Sequence, residues 1–253
     1  MVDLSRRFGG VSRLYGETGA AKLRVAHVCV VGIGGVGSWA AEALARTGVG
    51  RITLIDLDIV AESNTNRQIH ALEGKFGQAK VDAMAERIRA INPSCEVRCV
   101  DDFLTPDNVR ALISDDIDFV IDAIDQARAK TALIAHCKQK GIPVVVGGAA
   151  GGQIDPTRIT SADLSQTTQD PLLAKVRAAL RREFNFPRGN GKKFGVLAIY
   201  SSEPLRYPDR STSCEIDRGP QGLNCAGFGS AVCVTSVFGM VAASIAINRL
   251  VST

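Results

Sequence analysis

None of the seven cysteines stands in a Cys-x-x-Cys pair, so the ligand spacing of a structural zinc site is missing and none is expected. Cys95 and Cys99 come nearest, but they lie in an alternating strand pattern that turns both to one face. Met1 to Leu23 is polar and charged and lacks the apolar run of a secretory signal. With an odd, scattered set of cysteines, reduced thiols in a cytoplasmic protein are expected. No repeat period runs through the chain, which excludes a solenoid. Gly229 to Asn248 carries no charge and is long enough to cross a membrane. It is nevertheless rich in Ser, Thr, Gly and Ala, and it lacks an aromatic belt and any basic flank beyond Arg249. A helix buried in the core or in a dimer interface is expected there, and membrane association is not.

What is present is a chain of 253 residues, 45% hydrophobic and 22% charged, long enough to bury a full core. Its centre is Val28 to Gly37, where an apolar run ends in Gly32-Ile33-Gly34-Gly35-Val36-Gly37 and a helical pattern opens at once. That order is a buried strand, a glycine turn and a helix N-terminus, whose N–H groups and dipole favour a phosphate. Strands are expected near 25–31, 51–56, 96–100, 118–123 and 143–146, with helices at 35–47, 78–91 and 127–140 between them. A further helix is expected to start at Thr105-Pro106, with Thr105 as its cap. Such alternation predicts an α/β fold with a doubly wound, mainly parallel, Rossmann-like sheet. The N-terminal arm, 1–24, reads as helix interrupted at Gly9-Gly10, and 25–150 as the nucleotide-binding core. Residues 151–253 read as an extension, the whole, 1–253, forming one domain. In it, strands are expected at 154–160 and 194–200, a helix at 171–184 and an apolar helix at 228–250.

The glycines at 32, 34 and 37 also fit a dinucleotide fingerprint, so NAD and ATP both remain open at that point. The residues that follow decide. The second strand ends Asp56-Leu57-Asp58, and an acid there can bond ribose hydroxyls. Asn64, Arg67, Gln68 and Lys80 come next. A redox site has no need for them, whereas a site that breaks a triphosphate needs cations against the departing pyrophosphate. Strand four ends Asp122-Ala123-Ile124-Asp125, which puts Asp125 at the crevice, where it would hold magnesium beside ATP. Between Lys175 and Lys193, seven basic residues stand against Glu183 alone, a net +6 in a chain whose formal charge is +4. A polyanionic partner is expected for Arg177, Arg181, Arg182, Arg188, Lys192 and Lys193.

Gly-x-Gly-Gly-x-Gly, Asp-x-Asp, Asn-x-x-Arg-Gln, a lysine about twelve residues on and Asp at the fourth strand together resemble the ubiquitin-activating-enzyme-like adenylating superfamily. Within it, Arg7-Phe8-Gly9-Gly10, Asn64 to Ala71, Gly151 to Pro156 and Gln169 to Leu172 are similar to the family of bacterial tRNA threonylcarbamoyladenosine dehydratases. The resemblance implies Gly32, Gly34, Gly35, Gly37, Asp56, Asp58, Asn64, Arg67, Gln68 and Lys80 at ATP, with Asp125 at magnesium. It implies Arg67, Lys80 and Asp125 as the residues that drive the chemistry. The reaction implied is ATP-dependent cyclisation of threonylcarbamoyladenosine next to the anticodon of tRNA, through an acyl adenylate. The alternative is an adenylyltransferase for the C-terminus of a small sulfur-carrier protein, a class that typically carries two Cys-x-x-Cys pairs. A homodimer is implied, with Arg7 or Arg13 reaching the partner's ATP. His70 reads as a local structural residue. Cys214, near Arg210 and Arg218, could be a reactive thiol, although ring closure needs none.

Overall fold

The computed structural model describes residues 3–189, 191–207 and 228–252. Cys214, with Arg210 and Arg218, lies outside the described residues. Seven strands form one sheet in the order β3-β2-β1-β4-β5-β7-β6. They are β1 His27–Val31, β2 Arg51–Ile55, β3 Glu96–Val100, β4 Phe119–Asp122, β5 Val144–Gly147, β6 Ile159–Asp163 and β7 Leu197–Ser201. All pairings are parallel except β6 against β7. The β1 strand is buried from end to end, as a central parallel strand with helices over both faces must be.

The helices are α1 Leu4–Val25, α2 Gly37–Arg46, α3 Lys80–Ile91, α4 Val109–Leu112, α5 Ala127–Lys140, α6 Pro171–Glu183 and α7 Val232–Ser252. Leu23, Leu44, Met84, Ile88, Phe238 and Ala243 join Val28, Val30 and Leu54 in one core under α1, α2, α3 and α7. Cys29, Val31, Val120, Leu133 and Cys137 fill the face under α5. The apolar α7 helix buries Val234, Phe238, Ala242, Ala243 and Ala246, with Gly239 set directly against the backbone of α2.

Several boundaries differ from the sequence pattern, each for a local reason. The break in α1 falls at Gly16, which takes φ 76° and ψ 163°, and Gly9-Gly10 stays helical. Thr105 and Asn108 bond each other's backbone N–H and close a turn, so the helix expected from Pro106 starts at Val109. The strand expected at 154–160 begins only at Ile159, because Glu203 Oε2 holds the N–H groups of Ile154 and Asp155 and Pro156 opens a 3-10 turn. Phe194 and Gly195 donate to the Asp163 carboxylate, which delays β7 to Leu197. The extension does not form a separate sheet: β6 and β7 continue the central one.

Candidate active site

Strand order reverses between β1 and β4, and in an open α/β sheet the crevice at the carboxyl ends of such a pair receives the ligand. A cavity of about 400 Å³ opens there. Gly32, Gly34, Gly35, Asp56, Asp58, Asn64, Arg67, Gln68, Lys80 and Asp125 all line it. Gly37, expected at the nucleotide, does not. It opens α2, where any Cβ would run into the carbonyl oxygen of Gly32, so its task is to let helix and turn touch. Gly32 has φ 86°, and a Cβ on it would lie 2.8 Å from the Ala123 oxygen. Both close approaches demand glycine.

The turn is tied to β2. Gly32 donates to the Ile55 carbonyl at 2.9 Å, and Ile33 donates to Asp56 Oδ2 at 2.6 Å. Asp56 Oδ1 accepts from Asp58 N at 2.9 Å and stands 3.9 Å from Lys80 Nζ. Burial pushes the Asp56 carboxyl above its usual range, and Lys80 pulls against that. Lys80, buried at the start of α3, ion-pairs with Asp58 Oδ2 at 2.6 Å. The Asp58 side chain is 53% exposed, so this lysine can exchange its partner for an incoming phosphate.

The segment 61–68 wraps the other rim. Buried Asn64 uses Oδ1 to accept from Ala61 N at 3.1 Å, which closes the 3-10 turn Glu62–Asn64. Arg67 Nη1 donates to Ser63 O and Asn66 Oδ1, and Trp39 Nε1 holds the Arg67 carbonyl at 2.9 Å. Burial lowers the Arg67 guanidinium's pKa. Gln68 is buried, and its Oε1 has no hydrogen-bond partner among the described residues. An orphaned acceptor in a cavity wall is a place for a ligand donor. Asp125, exposed just beyond β4, makes no hydrogen bond or ion pair among the described residues.

Other lining residues gave no motif. Asp102, Phe103, Leu104 and Thr105 follow β3, Gly148 to Gly151 follow β5, and Leu172 and Thr235 come from α6 and α7. Their one signal is position, since Asp102 to Thr105 and Gly148 to Gly151 follow the carboxyl ends of parallel strands.

The basic residues of 175–193 lie outside the cavity lining, and they are not equivalent. Arg177 is half-buried, donates to Thr167 Oγ1, and has its pKa lowered by burial. Arg181 stacks over the Phe194 ring at 5.1 Å and donates to the Pro187 carbonyl at 3.4 Å. Arg182 pairs with its exposed neighbour Glu183. Arg188, Lys192 and Lys193 are exposed. On α1, Arg7 donates to the Ile91 carbonyl at 2.5 Å and so caps α3, while Arg13 is exposed.

Among the described residues, no three His, Cys, Asp or Glu side chains come together as a metal site. A lone Asp125 beside a cationic phosphate cradle still fits magnesium, which commonly binds through one or two carboxylates and substrate phosphates.

The model of the ThiF family matches residues 5–252. The chain is similar to the tRNA threonylcarbamoyladenosine dehydratase of Escherichia coli K12, with 54% identity over 98% of this chain and 94% of that one. Its likeness to the dehydratase of Haemophilus influenzae is 48% identity over 98% of this chain and 94% of that protein. The crystal structure of the E. coli dehydratase in complex with ATP superposes with a TM-score of 0.89, at 52% identity, over 98% of this chain and 95% of that one.

Proposed function

The chain belongs to the ThiF family, and on that premise we propose that it is an ATP-dependent tRNA threonylcarbamoyladenosine dehydratase. The observation that carries this reading is full-length likeness to dehydratases combined with a crevice whose lining brings together Gly32, Asp56, Asn64, Arg67, Lys80 and Asp125. The sulfur-carrier alternative loses ground because the paired Cys-x-x-Cys motifs of that class are absent.

In this reading ATP lies with its phosphates over the Gly32–Gly35 turn and its ribose near Asp56. The threonyl carboxylate of the modified adenosine attacks the α-phosphorus, and the bond to pyrophosphate breaks. Arg67 and Lys80 face the charge that develops on the departing group, Lys80 by releasing Asp58. Asn64 holds the 61–68 turn, and Gln68 Oε1 accepts from the nucleotide. Magnesium, held by Asp125 and phosphate oxygens, would neutralise charge on the triphosphate. The ureido group of the same nucleoside then attacks the activated carbonyl, closes the ring and expels AMP, so one water is lost overall. That step is intramolecular, and proximity supplies much of its rate. Arg182, Arg188, Lys192 and Lys193, with Arg181 beside them, meet tRNA phosphates. In this reading the protein works in the cytoplasm as a homodimer, and Arg13, an exposed arginine of the arm that makes no bond to α3, reaches the second subunit's ATP.

The test incubates the protein with ATP, magnesium and tRNA from cells lacking it, then weighs the digested nucleosides. An ATP-dependent loss of one water mass from threonylcarbamoyladenosine is expected. AMP transfer to a small carrier protein with no change in tRNA would overturn the reading.

A further inference from the structure

Beneath the crevice lies a group of charges that the proposed chemistry does not use. Lys130, in the first turn of α5, has no exposed surface, and neither does Asp122, the last residue of β4. Lys130 Nζ donates to Asp122 Oδ1 at 2.9 Å and reaches toward the Asp122 carbonyl at 3.4 Å. The same Oδ1 accepts from Ile124 N at 3.0 Å, while Asp122 Oδ2 has no partner among the described residues. A second buried carboxylate, Asp170, holds the next turn of the wall. Asp170 Oδ1 accepts from Leu173 N at 2.9 Å, capping α6, and its Oδ2 accepts from Ala149 N at 2.8 Å. Gly148 is forced to be glycine because a Cβ there would collide with Asp170 Oδ2.

Each carboxylate therefore grips the backbone of a different turn in the cavity wall. Asp122 holds Ala123 to Asp125, the turn that presents Asp125 and on whose carbonyl Gly32 rests. Asp170 holds Gly148 to Ala150. The Lys130 ammonium sits on Asp122, and without it this fully buried carboxylate would lose its ionised form, and with it the charge-assisted bond to its turn.

We propose that Lys130 is a positioning residue of the nucleotide site: its buried ion pair with Asp122 fixes the β4 turn that carries Asp125 at the crevice. The consequence for adenylation rests on the function proposed above, whereas the consequence for the turn does not. Lys130 sets geometry for the reacting groups and does not bind ATP, so its loss falls on the rate more than on nucleotide affinity.

The experiment compares wild type, Lys130→Met and Lys130→Arg by amide hydrogen exchange, ATP binding and tRNA-dependent pyrophosphate exchange. In Lys130→Met, the Ile124 amide is expected to exchange about tenfold faster or more, while the Gly32, Ile33 and Ala149 amides stay within about twofold. Pyrophosphate exchange falls about tenfold or more with ATP affinity within about threefold, and Lys130→Arg recovers most of both losses. If Lys130→Met does not fold, Lys130→Gln decides: selective loosening of the Ile124 amide, with a reduced rate, supports the proposal. An unchanged Ile124 amide in the variant that removes the charge, or a uniform speeding of all amides, would overturn it. Wild type lacking tRNA-dependent exchange would sink the proposed function instead, and the amides would still decide the role of Lys130.

Discussion

The two walls of the crevice hold a lysine–aspartate pair each, and the pairs are built for opposite purposes. On the β2 side, Lys80 meets Asp58, whose side chain is 53% exposed. On the β4 side, Lys130 meets Asp122 with both side chains fully buried. The distances differ little, 2.6 Å against 2.9 Å, so geometry alone does not separate them. Solvent does. Asp58 can be left by its lysine and remain hydrated, which makes the first pair exchangeable. Asp122 left alone keeps a buried charge, which makes the second pair permanent.

The sharpest way to break this comparison is to remove each lysine in turn. Lys130→Met should lower the unfolding free energy by about 3–5 kcal/mol, the cost of leaving one member of a buried pair behind. Lys80→Met should cost only about 1 kcal/mol of stability yet slow adenylate formation by about 10²–10³-fold. Denaturant melts and pyrophosphate exchange on both variants check this, and equal stability losses would erase the distinction.

A weaker effect sits beside Lys80. Buried His70 has neither ring nitrogen bonded among the described residues, and burial, with Lys80 and Arg87 adding to it, pushes its pKa down to about 4. The unfolded chain binds that proton near the ordinary value, so between those pH values it holds more protons than the folded protein. The stabilisation is therefore complete above pH 6.5 and drains away as pH falls toward 4. His70→Leu should shrink the stability lost between about pH 7.5 and 4.5 by about 2–3 kcal/mol, read from urea midpoints at the two pH values. An unchanged difference would mean that the exchangeable wall carries no such acid sensitivity.

The smallest effect belongs to the basic strip. Changing Arg182, Lys192 and Lys193 to Gln should reduce the salt slope of tRNA binding by up to about one for each phosphate that is no longer neutralised. ATP affinity should not move. A matching drop in ATP affinity would join the strip to the crevice and blur the contrast between its walls.

The legible part of the site was the part written in contiguous runs. Gly32 to Gly35 and Asp56 to Asp58 follow an apolar strand directly, and Asn64 to Gln68 stand together a few residues on, so chemistry and place arrive together. Lys130 was not legible, because it stands in the pattern of α5 and its partner, Asp122, stands on a strand. A reading by periodicity sees a surface lysine there. Gly37 shows a related limit of motifs: a motif records that glycine is needed but not whether a ligand or a carbonyl oxygen requires it. Five of the six parallel strands, β1 to β5, were recoverable from alternation. The insertion of β7 between β5 and β6 was not, since strand order depends on which edge remains open once the earlier strands have paired.

The position of α7 bears on how the protein comes to be made. Its apolar side closes the core over α2, yet α2 ends at Arg46 and α7 begins only at Val232. At ribosomal speeds the nascent chain carries the uncovered α2 face for about 10 to 40 s before its cover is synthesised. Through that interval Leu44 and its neighbours are a target for chaperones and for aggregation. Slowing translation after residue 46 should therefore lower soluble yield even though the finished protein is unchanged.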